Sequence, residues 1–209
     1  MSICTIFCAA GFDGLACPIP PGTPVIAADG GLRHTQSLGL TPDIILGDFD
    51  SLGHIPTGAQ VFPVEKDDTD AMLAIKQGLS LGCDTFYIYG ALDGKRLDHT
   101  IANLQSLLYL AHRGATGYLI GKDYIIRTLS PGRHSLPEHF TGILSLFCLG
   151  ADATGITIQG AKYETQQATL TAGFPLGVSN HFTGKAITIC LDSGTLLAMW
   201  DRENGLDHP

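Results

Sequence analysis

An alternation in the first half of the chain restricts the fold more than any other feature. Ile3 to Ala9, Val25 to Ala28, Ile44 to Leu46, Val61 to Val64 and Phe86 to Tyr89 are short apolar runs with Gly, Pro or Asp at their boundaries, the pattern of strands buried on both faces. Between them, Asp70 to Leu81 sets Met72, Leu73, Ile75 and Leu79 at helical spacing, and Asp98 to His112 does the same with Ile101, Leu104, Leu108 and Ala111. Strands alternating with helices predict a mainly parallel α/β sheet, whose ligands sit at the carboxyl ends of the strands. Here those ends are acidic. The second, third and fourth runs lead into AADGG, GDFDS and EKDDTD, and the fifth into GALDGKRLDH.

Beyond about residue 126 the pattern changes. A polar connection from Ser130-Pro131-Gly132 through Pro137 and Gly142 precedes Leu144 to Leu149, Gly155 to Ile158, Ala168 to Thr171 and Lys185 to Leu191. These runs are short, rich in Thr and Ile and separated by Gly, and a hairpin is expected at Asp192-Ser193-Gly194 before Leu196 to Trp200. The expectation is therefore two domains. Residues 1–126 form an α/β domain that binds nucleotide and metal, and residues 127–209 form a smaller all-β sandwich domain.

Composition narrows the function. The formal charge is −8 with no Lys/Arg block, which argues against a nucleic-acid or membrane surface. The opening MSICTIFCAAG lacks the basic start of a signal peptide, and no apolar run approaches membrane-spanning length. Six cysteines without a C-x-x-C pair fit neither a zinc site nor a disulfide framework, so a reduced, cytoplasmic protein is expected.

Taken singly, each of Asp29, Asp48, Asp50 and Asp67 reads first as a turn or cap residue, and Asp67 and Thr69 suit the cap of the helix that Asp70 opens. Gathered at one sheet edge, however, carboxylates repel unless a cation sits among them. A hard divalent ion such as magnesium, completed by water and phosphate oxygens, is the natural occupant. Gly30 and Gly31 would let phosphate approach the main chain. GALDGKR is not a P-loop, because it is one residue short and Arg96 stands where Ser or Thr is required. It remains a glycine loop that carries Lys95 and Arg96 into a helix opening Asp98-His99, with Asn103 on the face of His99. Arg96 suits bidentate phosphate binding, and Asp98 suits a metal or a proton, or simply a helix cap. No H-E-x-x-H or G-x-S-x-G is present. In the second half, Tyr163 reads as core and Ser179-Asn180 as a polar turn.

Taken in order, ADGG, GDFDS, KDDTD, RLDHTIAN, GAKYE and GVSNHF resemble the motif series of the thiamin pyrophosphokinases. The resemblance implies a homodimer with sites at the subunit interface, and transfer of pyrophosphate from ATP to the hydroxyl of thiamin with release of AMP. By that similarity, Asp48, Asp50 and Asp70 would hold Mg²⁺, with Asp29 beside it and Gly30 and Gly31 against the phosphates. Arg96 would grip the nucleotide, His99 and Asn103 would support it, and Asp98 or Asp70 would take the hydroxyl proton. Tyr163, Ser179 and Asn180 would bind thiamin. Gly94-Lys95 departs from the family's glycine pair before the arginine, and the loop from Gly90 is slightly longer. A magnesium-dependent nucleotide-sugar transferase or phosphohydrolase is the rival reading of the D-x-D in GDFDS.

Overall fold

The computed structural model describes residues 2–50 and 52–207. Its first half is a parallel sheet with strands β1 (Ile3–Phe7), β2 (Val25–Ala28), β3 (Ile44–Gly47), β4 (Gln60–Val61), β5 (Thr85–Tyr89) and β6 (Thr116–Ile120) in the spatial order β4-β3-β2-β1-β5-β6. β2 and β5 are buried at every position, as continuous apolar runs require when both faces of a strand are covered. The covering helices are α1 (Leu32–Ser37), α2 (Asp70–Ser80) and α3 (Leu97–Ala111). The chain steps outward from β1 through β2, β3 and β4, then returns to the other side of β1 for β5 and β6. That reversal opens a crevice at the carboxyl ends of β1 and β5, where doubly wound sheets bind ligands.

The second half does not stand apart from this sheet. β7 (Tyr124–Leu129) pairs antiparallel with β6, and β14 (Leu196–Asp201), β9 (Ile143–Cys148) and β12 (Asn180–His181) extend it further. Among the described residues the result is one ten-stranded sheet. A second sheet, in the order β11-β10-β13-β8, comprises β8 (Gly132–Leu136), β10 (Ala153–Gln159), β11 (Thr165–Leu170) and β13 (Ile187–Leu191). It packs on the antiparallel end of the first through Leu136, Leu144, Ile156, Ile187, Ile189 and Trp200. The sandwich is thus real, but one of its layers continues the N-terminal sheet, and residue 126 lies inside β7.

Several local expectations change. Val61 to Val64 yields only the two-residue β4, since Pro63 has no N–H for a ladder. The polar connection after Ser130 contains β8, an edge strand whose Arg133 and Ser135 face solvent. Asp192 to Gly194 is not a hairpin: β13 pairs with β8 and β10, whereas β14 pairs with β7 and β9, so this turn crosses from one layer to the other. Among the described residues no helix is long and apolar enough to cross a membrane.

Candidate active site

The crevice holds a cavity of about 330 Å³. Strand tips supply Cys8 to Ala10, Ala28-Asp29 and Gly90-Ala91, while the starts of α2 and α3 supply Thr69-Asp70 and Arg96, His99, Thr100 and Asn103. Residues from 8 to 103 therefore meet in one place because parallel strands all end on the same edge.

Local backbone geometry gathers the acids. Asp29 leaves β2 with φ of +48°, and Phe49 adopts φ of +61° between Asp48 and Asp50. Phe49 is buried in the core, so the left-handed kink sends the intervening ring inward and leaves the two flanking carboxylates near each other. Such conformations cost on the order of 1 kcal/mol or more each and persist where packing enforces them. Gly47 allows the convergence: a Cβ there would lie 3.1 Å from the backbone nitrogen of Asp29. One oxygen from each of Asp29, Asp48 and Asp50 falls within 4.8 Å of the others.

Asp70 joins this group through a lysine rather than directly. Lys66 Nζ donates to Asp48 Oδ2 at 2.8 Å and lies 3.1 Å from Asp70 Oδ1. The hydrogen bond from Lys66 holds the Asp48 carboxyl below its usual range. Burial pushes Asp70 upward, reinforced by the neighbouring Asp48 and Asp29, although Lys66 pulls it back. Burial alone would lower the Lys66 ammonium, but its two carboxylate partners reverse that direction and raise it. Thr69 caps α2 by accepting the Met72 N–H at 3.1 Å, which fixes Asp70 in the first turn beside the positive end of the helix dipole.

On the opposite wall, α3 holds the glycine loop. Asn103 Nδ2 donates to the Ala91 carbonyl at 2.7 Å and Thr100 Oγ1 to that of Leu92 at 3.0 Å. Arg96 is exposed and forked onto Asp98 at 3.2 and 2.5 Å, and this guanidinium holds the Asp98 carboxyl below its usual range. Asp98 itself does not line the cavity.

Of the residues expected from sequence, Asp29, Asp50, Asp70, Arg96, His99 and Asn103 line this one cavity, and Asp48 adjoins it through the acid group. Gly30 and Gly31 are buried behind it. A Cβ on Gly31 would meet the Phe7 carbonyl oxygen at 1.9 Å, so close packing against β1 accounts for that glycine. Asp68 turns away to Lys76 at 2.6 Å. The acids that converge are Asp29, Asp48 and Asp50, rather than the set Asp48, Asp50 and Asp70. Lys66 within KDDTD and Thr100 carry no role in the motif reading, and Thr69 enters it only as a cap, yet Thr69 and Thr100 line the cavity and Lys66 joins the acid group. An ammonium group heading an acid-rich motif was the available signal.

A second cavity, also of about 330 Å³, opens between the layers of the sandwich. Leu146, Ile156, Ile158 and Leu170 form its floor, with Leu176 and Val178 at the loop before β12 and Tyr163, Glu164 and Asn180 at its rim. Buried Asn180 accepts the Tyr163 N–H and donates to the Tyr163 carbonyl, both at 2.9 Å. This reciprocal pair fixes the backbone under a ring that is 59% exposed. Ser179, at φ of +63°, donates its N–H to Ser145 Oγ at 3.1 Å and is not among the lining residues. The two cavities share no lining residue.

Both halves match family models. Residues 23–119 match the thiamin pyrophosphokinase catalytic domain, and residues 133–196 match the thiamin pyrophosphokinase vitamin B1 binding domain. The chain belongs to the thiamin pyrophosphokinase family. It is 27% identical over 181 residues to the thiamine pyrophosphokinase of Bacillus subtilis (strain 168), covering 82% of this chain and 84% of that one. The crystal structure of Bacillus subtilis thiamine pyrophosphokinase superposes with a TM-score of 0.84 at 23% identity, over 96% of this chain and 99% of that one. A thiamin pyrophosphokinase family protein from Enterococcus faecalis gives 0.80, also at 23% identity and with the same coverage. These structures show that the fold is shared. The acid-lined cavity falls almost entirely within the catalytic match, and the apolar cavity within the vitamin B1 binding match.

Proposed function

We propose that this thiamin pyrophosphokinase family member binds ATP in the acid-lined cavity and transfers its pyrophosphoryl group to the thiamin hydroxyl, releasing AMP. The observation that carries this reading is the meeting of Asp29, Asp48 and Asp50 within 4.8 Å at the mouth of a crevice that Asp70 and Arg96 also line.

The donor set fits magnesium, since three carboxylates offer only oxygen, at a spacing one hard ion can span. Asp29, Asp48 and Asp50 would hold it, and when bound it neutralises charge on the polyphosphate oxygens. Arg96 leaves Asp98 to fork onto those oxygens, because both partners are exposed and their mutual attraction is weak in water. Asn103 and Thr100 keep the glycine loop in place while the phosphates bind, and His99 lines the nucleotide side. Asp70 accepts the proton of the thiamin hydroxyl as its oxygen attacks the β-phosphorus. It lines the cavity and its basicity is raised by burial, whereas Asp98 is exposed and tied to Arg96.

Thiamin's thiazolium is a fixed cation, and the exposed face of Tyr163 suits it. The Lys162 ammonium already lies 5.2 Å from the centroid of that ring. Asn180 and Ser179 set the position of Tyr163 and of the adjacent turn, making them pocket supports. Because the cavities share no lining residue, we assign the completed site to a homodimer in which Tyr163 of one copy faces the acid cluster of the other. Residues 1–126 thus serve nucleotide and metal, and residues 127–209 serve thiamin and dimerisation, in a cytoplasmic enzyme.

The test is purified protein with ATP, Mg²⁺ and thiamin, followed by chromatography. AMP and thiamin diphosphate should appear together in equal amounts and only when thiamin is present. Nucleotide breakdown without thiamin would replace this reading with a hydrolase.

A further inference from the structure

Lys66 is the one cation built into the acid group among the described residues, and its surroundings leave it little freedom. Its ammonium donates to Asp48 Oδ2 at 2.8 Å and to the Pro63 carbonyl at 3.1 Å, with Asp70 Oδ1 also at 3.1 Å. Two of its N–H groups are hydrogen-bonded, and Asp70 Oδ1 holds the ammonium by charge at ion-pair distance without accepting a hydrogen bond. The side chain is 13% exposed. Two carboxylates and a carbonyl around a half-buried positive centre are also the oxygen set a hard metal ion would choose.

We propose that Lys66 is a positioning residue that serves as a fixed second cation, allowing the cluster one divalent ion and excluding another. This inference rests on the magnesium reading above. Charge counting supports it. Asp29, Asp48, Asp50 and Asp70 carry four negative charges, and Lys66 cancels one. One divalent ion at Asp29, Asp48 and Asp50 then leaves the group close to neutral, and a second would make it net positive. Without the lysine, four carboxylates match two divalent ions. A monovalent ammonium on Asp70 also spares lone pairs that a divalent ion would occupy, which preserves Asp70 as a proton acceptor. Lys66 additionally ties the segment before α2 to the tip of β3 through Asp48, while its bond to the Pro63 carbonyl braces that segment internally, so the lysine fixes the distance between Asp48 and Asp70.

The experiment is a Mn²⁺ titration of the nucleotide-free full-length protein, reading free Mn²⁺ by electron paramagnetic resonance. Wild type should bind one Mn²⁺ per chain. Lys66→Met should bind two, the second about tenfold or more tighter than any additional binding to wild type, because a unit positive charge a few ångströms away no longer repels it. Lys66→Arg should return to one. Lys66→Met/Asp70→Asn should also return to one, since the second site loses a ligand. If circular dichroism shows Lys66→Met unfolded, Lys66→Gln is titrated in its place and read the same way. A folded variant binding one Mn²⁺ with wild-type affinity, or a wild type binding two, overturns the inference and leaves the magnesium reading intact. A wild type binding no Mn²⁺ overturns both.

Discussion

The two cavities enclose about the same volume and are built by opposite means. The first is a convergence of charge at the ends of parallel strands, where loops from four strands and the starts of two helices meet because the topology reverses beside β1. The second is a gap between two β-layers, floored by aliphatic side chains from β9, β10 and β11 and rimmed by Tyr163. One is suited to orient and neutralise polyphosphate, and the other to present apolar surface with one aromatic face. In the first cavity a single atom of the wrong charge should be costly. In the second, losses should be gradual and selective for one substrate. Substitutions that respect this division would sharpen the comparison, and any that cross it would break it.

The largest effect is expected at the acid group. Asp50→Asn keeps the side-chain volume but removes a charge from the three oxygens that converge within 4.8 Å. Because such an ion supplies several kcal/mol of transition-state stabilisation, kcat/KM should fall on the order of 10³-fold. Raising Mg²⁺ should recover part of the loss, and the melting temperature should not drop, since repulsion among the acids is relieved. An Asp50→Asn protein with near-normal turnover at low Mg²⁺ would remove the first cavity from the chemistry.

Asp70→Asn comes next, with kcat reduced on the order of 10²-fold, the lower end for loss of a general base. Its raised pKa also fixes the sign of a pH effect. Asp70 must be ionised to accept a proton, so activity is lost as pH falls through its value in the folded protein, which lies above the ordinary aspartate value of 3.8. The acid limb of kcat should therefore sit higher than an unperturbed aspartate would place it, and it should vanish in Asp70→Asn. For stability the same shift runs the other way. The folded state holds this proton more tightly than the unfolded chain, so the contribution of Asp70 weakens as pH rises from the ordinary value through the raised one. Asp48, depressed by Lys66, has the opposite sign: its contribution is present above the ordinary value and is lost as pH falls through the depressed one.

Tyr163→Ala tests the second cavity. Removing an exposed aromatic face should raise the KM for thiamin about tenfold and leave that for ATP unchanged, in line with about 1 to 2 kcal/mol for a cation on an aromatic ring. Equal changes in both constants would mean that the two cavities are not separate binding regions.

The same division explains what could be read from the sequence. Fully buried parallel strands announce themselves as apolar runs, and the Asp residues at their tips are local in sequence, so β2, β3 and β5 and the acid-lined edge were legible together. Their mutual arrangement was not. Whether Asp29 or Asp70 completes the group with Asp48 and Asp50 depends on the left-handed turns at Asp29 and Phe49, which no spacing rule encodes. Gly31 reads as a phosphate contact until the Phe7 carbonyl is found where its Cβ would stand. In the second half, Leu146, Ile156 and Ile158 look like ordinary core, because a strand residue lining a cavity and one filling it share the same alternation. β13 and β14 read as a hairpin because their turn is short, and only long-range pairing reveals that it joins different layers.

The smallest expected effect belongs to Asp98, and it bears on the comparison because Asp98 stands beside the first cavity without entering it. Its carboxylate is exposed and pairs with the Arg96 guanidinium. Exposed pairs contribute little, so Asp98→Asn should change kcat by less than about fivefold. Its loss also frees the Arg96 fork that polyphosphate must otherwise take from it, so the KM for ATP should stay level or fall while that for thiamin does not move. Steady-state kinetics with each substrate varied in turn separates these outcomes. A fall in kcat as deep as that of Asp70→Asn would move the proton to Asp98, and charge close to the cavity would then count as much as charge within it.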